Sequence, residues 1–368
     1  MQETTLLNDV VSRYLPPSRI ATIREYGSGN INKTYLVTPE GGTEEPFLLQ
    51  KLNTRVFQQP DLVMSNIRSI SRHLEQRTQP GNPATGRRWE VPHVLQTNEG
   101  SDHWLASDGS YWRALRFIGR SQTVDTVHDP DRAWEVGYAL GTFHSLLSDL
   151  PIAELADTLP GFHIAPEYLA HYDKVAPSAG ASLSTEEEWC ARFIEEHRDW
   201  VPVLERAREQ GILRLRPIHG DPKVNNILFD DVTGKAIAMV DLDTIKPGLV
   251  QYDIGDCLRS SCNPDGEETD RWQDVRFDPV LGKAVLEGYL SVARGFFDDA
   301  DFDYLPESVR LIAFELGLRF FTDHLEGDVY FKVARRGRNL ARALVQFRLA
   351  QSIHEHFAEL KGLIQALR

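Results

Sequence analysis

Cysteine is scarce in this sequence, and its scarcity excludes two classes of protein. The chain has three cysteines among 368 residues. Cys257 and Cys262 are too widely spaced for a Cys-x-x-Cys pair, Cys190 is isolated, and no histidine cluster accompanies them. A disulfide-stapled scaffold and a cysteine-ligated zinc domain are therefore both excluded. We expect reduced thiols of the kind found in cytoplasmic proteins.

Long apolar runs are absent as well. No run approaches the roughly 20 residues that a transmembrane helix needs. The first residues, Met1 to Thr5, show no basic segment followed by an apolar one, so we expect no signal peptide and a cytoplasmic location. The composition, with 41% hydrophobic and 26% charged residues, is that of a soluble globular protein, and 368 residues are enough for two lobes.

The sequence has fewer basic than acidic residues. The 40 lysines and arginines are outnumbered by 54 acidic residues, which gives a formal net charge of −14. This balance argues against nucleic acid or an anionic membrane as a partner. It is compatible with a neutral or cationic small molecule, although the acidic residues are explained well enough by solubility alone.

What the sequence does contain is a stretch, Ile218 to Phe229, of the form His-x-Asp-x-x-x-x-Asn. Phosphoryl transfer needs a group that accepts the hydroxyl proton, together with metal ions held on the phosphates. Kinase catalytic loops place the Asp as base and the Asn on a metal at this spacing. The pattern therefore predicts Asp221 as the base, Asn226 as a metal ligand and His219 as an orienting residue. A surface loop with a chance His, Asp and Asn is the alternative.

A second apolar stretch, Ala236 to Asp243, supports the kinase interpretation. It is separated from the first by a glycine-containing turn, which predicts a β-hairpin with Asn226 at its entry and Asp241 at its exit. Both side chains can then face one point. A carboxylate oxygen is the ligand that Mg²⁺ prefers, so we predict Asp241 as the second metal ligand and ATP with Mg²⁺ as the cofactors.

The glycine-bearing turn from Gly27 to Lys33 lies between two predicted strands, Ile20–Tyr26 and Thr34–Thr38. Glycine allows backbone N–H groups to approach phosphate oxygens without a side chain in the way. An ordinary hairpin turn is the alternative. We predict that this turn contacts the nucleotide through Gly27, Gly29, Asn30 and Asn32.

The next predicted strand, Phe47–Leu52, offers Gln50 and Lys51 to the nucleotide. Kinases place a lysine on this strand, paired with a glutamate on the following helix. Neighbouring strand residues point to opposite faces, so the register is open, and Lys51 as a solvated lysine is equally compatible with the sequence. The following predicted helix has Asp61 and Glu75 as its only acids, and we assume no lysine–glutamate pair.

The distribution of elements predicts an α+β protein with two lobes. Three further strands are predicted at Val91–Thr97, His103–Ala106 and Tyr111–Phe117, and the chain becomes helical from Asp131 onward. We place the boundary between a nucleotide-binding lobe, residues 1–118, and a catalytic and substrate-binding lobe, residues 119–368. This is the bilobal plan of protein kinases, with the nucleotide in the cleft.

The catalytic stretch resembles the aminoglycoside phosphotransferase and choline-kinase-like family of small-molecule kinases. The resemblance rests on His219 to Asn226, on Val240 to Asp243 and on Tyr252 to Asp256, whereas the Asp-Phe-Gly and Ala-Pro-Glu of protein kinases are absent from the corresponding places. The resemblance implies that Asp253 braces the catalytic loop. It also implies that a hinge holds adenine by the backbone groups of Arg116, Phe117 and Ile118.

Further stretches resemble the N-acetylhexosamine 1-kinase subfamily. They are Gly27 to Tyr35, Asp241 to Leu249, and Leu325 to Lys332 with Asn339. This resemblance implies phosphorylation of the anomeric hydroxyl of N-acetylglucosamine or N-acetylgalactosamine, with Arg319 and Tyr330 as substrate residues. For Arg319 the alternative is an ion pair with Glu315 or Asp323, one helical turn away.

Two departures leave the substrate and the phosphate-binding cation open. Asn30 stands where the hexosamine kinases are expected to have histidine, and Gln50 stands where many family members have a basic residue. The alternatives are a kinase of the same fold for choline, homoserine or an aminoglycoside, and an inactive nucleotide-binding pseudokinase. The intact Asp221, Asn226 and Asp241 argue against the pseudokinase.

Overall fold

The computed structural model describes residues 2–27, 31–42, 45–78, 86–178, 183–333 and 335–368. Its N-terminal part is an antiparallel sheet accompanied by two helices. The strands follow the order β1-β2-β3-β6-β4, with β5 paired to β6. The elements are α1 (Gln2–Ser12), β1 (Ile20–Glu25), β2 (Lys33–Pro39), β3 (Phe47–Leu52), α2 (Pro60–Thr78), β4 (Val94–Leu95), β5 (Trp104–Leu105) and β6 (Tyr111–Arg116).

This sheet has two different faces, because side chains alternate along each strand. Leu49 and Trp112 lie on one face and belong to an apolar cluster with Val10 of α1. Gln50 and Arg113 are register partners on β3 and β6. They lie on the opposite face, which looks toward the helical part of the molecule.

The fourth and fifth strands are shorter than the sequence predicts. The predicted segments Val91–Thr97 and His103–Ala106 contain strands of only two residues each, β4 and β5. Pro92 lacks the N–H group that a ladder needs, and it restricts pairing at the start of the first segment. The sheet therefore ends in a narrow edge on this side.

The rest of the chain is mainly helical, with short strands that carry the catalytic segment. The strands form two small antiparallel sheets, β10-β9-β7 and β11-β8. The elements are β7 (Ser121–Gln122), α3 (Pro130–Leu146), α4 (Ala165–Val175), α5 (Thr185–Glu196), α6 (Val203–Glu209), β8 (Arg216–Ile218), β9 (Ile227–Asp230), β10 (Ala236–Met239), β11 (Lys246–Gly248), α7 (Val250–Ser261), α8 (Pro279–Ala293), α9 (Asp299–Leu325), α10 (Arg338–Glu355) and α11 (Phe357–Leu367).

Helices α3 and α8 approach each other so closely that their backbones touch. A methyl group on Gly137 would lie 1.8 Å from the carbonyl oxygen of Val285, and one on Gly288 would lie 2.0 Å from that of Trp134. Glycine is therefore required at both positions, since any Cβ would separate the helices. This packing fixes α3, whose last turn carries His144 to the catalytic loop.

The predicted fold class is confirmed: a protein-kinase-like fold with a β-sheet N-terminal region and a helical C-terminal region. The predicted hairpin is present as β9 and β10, with Asn226 just before it and Asp241 just after it. The division at residue 118 stays a prediction.

None of the helices in the described part of the chain has the length and apolar character that crossing a bilayer requires.

Candidate active site

A buried carboxylate, that of Asp253 on α7, fixes the backbone of the predicted catalytic loop by hydrogen bonds. Its two oxygens accept hydrogen bonds from the backbone N–H groups of His219 (2.6 Å) and Gly220 (2.8 Å). The ring of His144 lies 2.9 Å from the same carboxylate. Burial acts to raise the pKa of Asp253, but the hydrogen bond and charge of His144 outweigh it and lower the pKa. An ionised carboxylate thus fixes the backbone that precedes Asp221.

His219 contacts the loop rather than the cleft. Its Nε2 lies 3.0 Å from the carbonyl oxygen of Val240, and its Nδ1 accepts the backbone N–H of Asp221 at 3.3 Å. Nε2 must therefore carry the proton and Nδ1 must not. Complete burial lowers the pKa of this imidazole, in agreement with a neutral ring. His219 links the catalytic loop to the end of the hairpin, which is an orienting position.

Gly220 permits the sharp turn before Asp221, the predicted base. Its φ is +84°, and a Cβ there would lie 2.6 Å from the carbonyl oxygen of Thr244. The hydroxyl of Thr244 in turn donates to the carbonyl of His219 at 2.8 Å. Any other residue would carry a strained backbone and push away the segment that follows Asp241.

Asp221 has one carboxylate oxygen engaged and one open. Its Oδ2 accepts hydrogen bonds from Lys223 Nζ (2.7 Å) and Asn226 Nδ2 (3.1 Å). Asn226 Nδ2 also donates to the Asp221 carbonyl at 2.7 Å. No described residue bonds Oδ1, and the side chain is 28% exposed. An oriented carboxylate with one open oxygen at a cavity is what a general base requires.

Lys223 is a site residue that the sequence analysis missed. Burial acts to lower the pKa of Lys223, but the charges of Asp221 and Asp241 outweigh it and raise the pKa. The ammonium group therefore stays charged near Asp221, the predicted base, and Asp241, the predicted metal ligand. Its position two residues after Asp221 was the available signal, because this spacing allows its side chain to reach the predicted base.

Asn226 and Asp241 lie at the two ends of the hairpin, as the sequence predicts. Asp241 adopts a left-handed conformation with a φ of +64°. Desolvation, together with the negative charge of Asp243, raises the pKa of Asp241, although this residue is exposed. A divalent cation would stabilise its charged form. The donation by Asn226 Nδ2 leaves its Oδ1 for the same ion.

Among the described residues, no group of three or more His, Cys, Asp or Glu side chains forms a metal site. Two protein ligands are nevertheless enough for Mg²⁺ on a nucleotide, because phosphate oxygens and water complete its octahedron. Asn226 and Asp241 fit that requirement. Their role as metal ligands remains a prediction.

The predicted phosphate turn is only partly within the described residues. Gly27 has a φ of +77°, and a methyl group added to its Cα would have no heavy atom within 4 Å, so the backbone there is accessible. Gly29 and Asn30 lie outside the described residues. Asn32 donates to Asp243 at 2.7 Å and accepts the N–H of Asn53 at 2.9 Å, so its side chain joins the two lobes.

Gln50 and Lys51 lie on opposite faces of β3. Gln50 Oε1 accepts two hydrogen bonds from Arg113, and its Nε2 donates to the hydroxyl of Thr34 at 3.1 Å. Lys51 lies on the other face, 38% exposed, with Nζ 3.6 Å from Asp108. Their predicted contacts with the nucleotide stay predictions.

The predicted hinge follows β6. The N–H of Arg116 donates to the His93 carbonyl at 2.8 Å, and the ring of Phe117 packs edge-on against Tyr26 at 5.7 Å. Ile118 belongs to a separate apolar cluster with Ile237 and Ala238 of β10. This cluster spans the junction between the lobes.

A cavity of about 130 Å³ lies beside Asp221. Both predicted substrate residues, Arg319 and Tyr330, line it. Its walls are aromatic and aliphatic, with charged groups of both signs between them. They include Phe162, His163, Lys223, Asp256, Glu315 and Phe331. We call this space the acceptor pocket.

Arg319 has neither of the ion pairs that its helix offers. The guanidinium carbon lies 5.0 to 5.4 Å from the ring centroids of Tyr168, Phe162 and Phe331. Glu315 instead contacts the ring of His163 at 2.9 Å. No described residue accepts a hydrogen bond from Arg319, so its donors are directed at the pocket.

Tyr330 is held in the pocket wall by a buried anion. The carboxylate of Asp323 accepts the backbone N–H groups of Val329 (2.9 Å), Tyr330 (2.7 Å) and Phe331 (3.0 Å). Asn339 donates to it at 2.8 Å. This set explains the spacing between Gly327-Asp328 and Asn339 that the sequence shows. It also explains why Asp323 does not pair with Arg319.

Comparison with known proteins agrees with this geometry. Residues 22–292 match the APH family, described as the phosphotransferase enzyme family. A microcompartment-associated aminopropanol kinase is 19% identical, with 98% of this chain and 99% of that one covered and a TM-score of 0.63. A choline kinase from Cryptosporidium parvum is 14% identical, with 98% and 97% covered and a TM-score of 0.62.

An aminoglycoside phosphotransferase from Alicyclobacillus acidocaldarius is 15% identical, with 97% of this chain and 96% of that one covered and a TM-score of 0.60. These likenesses show the shared fold, and the sequence match covers most of the chain. The predicted family is thereby confirmed. The protein belongs to the APH phosphotransferase family and is a small-molecule phosphotransferase.

Proposed function

We propose that this protein is an ATP- and Mg²⁺-dependent kinase that phosphorylates a hydroxyl of a neutral sugar, with the anomeric hydroxyl of an N-acetylhexosamine as the first candidate. The observation that carries the proposal is the acceptor pocket. It combines the open oxygen of Asp221 with a guanidinium, Arg319, whose donors no described residue uses.

Arg319 argues against a cationic acceptor. Aromatic cages bind quaternary ammonium groups through cation–π attraction. Here the three rings around Arg319 already hold a guanidinium, and a second cation beside it would be repelled. Choline and aminoglycosides are therefore poorer candidates than a neutral hydroxylated molecule. The net charge of −14 belongs to the whole chain and does not change this preference, because an acceptor in the pocket meets the nearby charge of Arg319.

Unpaired acceptors in the same pocket favour a molecule with several hydroxyl groups. Asp256 Oδ2 and Glu315 Oε2 are buried and have no hydrogen-bond partner among the described residues. Buried polar atoms are normally paired, so these oxygens are suited to a ligand that donates. A hydroxyl both donates and accepts. A sugar can therefore satisfy the two carboxylates and Arg319 together, while Phe162 and Tyr330 cover its apolar face.

The nucleotide is proposed to bind in the cleft between the lobes. The partly buried side chains of Leu228 and Val240 pack against the buried cluster of Ile118, Ile237 and Ala238, and they offer an apolar surface for adenine beside the hinge backbone. Bound Mg²⁺ would neutralise phosphate charge, held by Asn226 and Asp241. Lys223 adds a positive charge on the side of Asp221, where the transferred phosphoryl group carries its negative charge.

In the proposed reaction the acceptor hydroxyl gives its proton to Asp221 Oδ1. The acceptor oxygen forms a bond to the γ-phosphorus, and the bond from that phosphorus to the β–γ bridging oxygen breaks, which releases ADP. Asp253 and His219 keep the loop fixed during this step. The acceptor pocket holds the hydroxyl in line, and positioning of this kind supplies much of the catalysis in phosphoryl transfer.

The experiment is coupled ADP release with Mg-ATP against N-acetylglucosamine, N-acetylgalactosamine, glucose, galactose, choline, homoserine and kanamycin. We expect release with an N-acetylhexosamine that exceeds the acceptor-free rate and the rate with choline. The phosphorylated position is then identified by phosphorus NMR of the product. ADP release with choline or kanamycin alone would refute the proposal that the acceptor is a sugar. Mg-ATP binding without turnover on the whole panel would indicate a pseudokinase.

A further inference from the structure

The strand that carries a lysine in the kinase pattern has no cation on the cleft side. Gln50 occupies that face of β3, and Lys51 lies on the other face near Asp108. The helix that usually supplies the glutamate partner does not supply one either. Asp61 accepts the hydroxyl of Tyr111 at 3.0 Å, and Glu75 contacts His93 at 2.5 Å. Among the described residues, the lysine–glutamate pair of kinases is therefore missing.

An arginine from the neighbouring strand lies at the vacant place. Arg113 on β6 is the register partner of Gln50. Its Nε and Nη2 donate to Gln50 Oε1 at 3.0 and 2.8 Å. The side chain is 1% exposed, so this cation is removed from water and must be matched by an anion.

The matching anion belongs to the metal-binding loop. Arg113 Nη2 lies 2.6 Å from Asp243 Oδ1, and the Asp243 side chain is 3% exposed. Asn32 donates to the second oxygen of Asp243 at 2.7 Å, and Thr158 donates to its carbonyl at 3.0 Å. Asp243 follows the predicted metal ligand Asp241 by two residues. The pair thus joins the nucleotide-binding sheet directly to the loop that would hold the metal.

Arg113 also retains an unused donor. Its Nη1 is buried and has no hydrogen-bond partner among the described residues. A guanidinium presents its donors as a rigid fork, so Nη1 has a fixed direction once Nε and Nη2 are engaged. The cation is therefore fully oriented, yet not fully paired, at the junction of the lobes.

We propose that Arg113 replaces the strand lysine of kinases: it is the buried cation that positions the metal-binding loop against the sheet and supports binding of the nucleotide phosphates. The inference rests on the proposed nucleotide function, and it does not depend on the acceptor. In the kinase pattern the strand cation does not contact the loop of the metal-binding aspartate. Here the proposed cation, Arg113, pairs with Asp243, two residues after the predicted metal ligand Asp241.

The experiment measures Mg-ADP binding by titration calorimetry in the full chain. For Arg113→Gln we expect the Kd to rise about ten- to a hundredfold, because the buried carboxylate of Asp243 loses its paired cation. For Gln50→Lys combined with Arg113→Gln, which moves the cation to the partner strand, we expect recovery to within about threefold, since one opposite charge again faces Asp243. Arg68→Gln, in a surface pair with Asp102, is the control and should bind normally.

A further double variant distinguishes a loss of nucleotide binding from a folding defect. Arg113→Gln combined with Asp243→Asn leaves no unpaired buried charge, and it should fold while still binding Mg-ADP weakly. Normal binding by this double variant would overturn the proposal. So would a loss of binding in Lys51→Gln with none in Arg113→Gln. If the wild-type chain itself fails to bind Mg-ADP, the proposed function fails, and that result is distinct from either of these.

Discussion

The residues that support the catalytic loop lie beside the acceptor pocket, but the two regions differ in how completely their polar groups are hydrogen-bonded. Beneath the loop, both oxygens of Asp253 and both ring nitrogens of His219 are engaged by hydrogen bonds. In the pocket, Arg319 has no hydrogen-bonding partner among the described residues, and one oxygen of Asp256 is buried without one.

This difference separates groups that position from groups that bind. A buried polar group that is fully paired gains nothing from a ligand, and its role is to fix geometry. A buried group that lacks a partner carries a desolvation cost, which a ligand of the right chemistry removes. Substituting one residue of each kind tests this distinction.

The largest effect is expected at Asp221, which is half paired and half open. Asp221→Asn keeps an oxygen for Lys223 and Asn226 but removes the group that accepts a proton. We expect turnover to fall by about 10²- to 10⁴-fold, the usual size of general-base catalysis, with nearly unchanged Mg-ADP binding. Steady-state ADP release and calorimetry measure the two quantities. Asp231→Asn, in the exposed turn of the hairpin, is the control, and wild-type turnover in Asp221→Asn would refute the assigned base.

The next effect is expected at Arg319. Arg319→Leu keeps apolar bulk between the rings but removes the donors, so the acceptor kcat/KM should fall by about ten- to a hundredfold, while the KM for ATP stays constant. Arg319→Lys should recover only part of the loss, because an ammonium lacks the planar fork. An equal change in the KM for both substrates would show that Arg319 supports the fold and not the acceptor.

A smaller effect is expected from the pH dependence of stability. His163 has Nδ1 2.9 Å from Glu315 and Nε2 2.7 Å from the Gly220 carbonyl, so both nitrogens face acceptors. Burial acts to lower the pKa of His163, but the charge of Glu315 outweighs it, and the pKa is raised above its ordinary 6.5. The folded state thus holds the proton more strongly than the unfolded state.

The stabilisation is therefore fully present below about pH 6.5 and is lost as the pH rises through the folded pKa of His163. The slope cannot exceed one proton, or about 1.4 kcal/mol per pH unit. Urea unfolding at several pH values between 6 and 9 measures it. His163→Gln should give a flatter profile in this range, and an identical slope in both proteins would exclude a charged His163. The pKa of His219 is lowered, so this residue changes the stability only below about pH 7.5, and with the opposite sign.

The smallest effect is expected at Asp323, which supports the pocket wall without touching the cavity. Asp323→Asn keeps one oxygen acceptor but loses the charge that strengthens three backbone hydrogen bonds. We expect the acceptor KM to rise a few-fold, about 1 kcal/mol, with kcat nearly constant. Tyr330→Phe tests the wall residue itself. A fall in kcat with an unchanged KM would place this loop in catalysis.

The sequence determined the elements whose signal is local. The spacing from His219 to Asn226, the apolar strand before Asp241 and the turn between them are short-range patterns, and the hairpin appears as predicted. The alternation along β3 likewise predicts that Gln50 and Lys51 face opposite sides. These features follow from backbone geometry over a few residues, and no distant contact is needed to define them.

Only the tertiary structure decided which groups are paired. Arg113 is 63 residues from Gln50, and His163 is 152 residues from Glu315. Each contact depends on how the strands and helices pack, which residue spacing along the chain does not encode. The same holds for Arg319, whose ion pairs were plausible by helical spacing, because packing gives Glu315 and Asp323 other partners. Sequence thus specified the candidate reacting groups, whereas packing decided which polar groups remain available to a ligand.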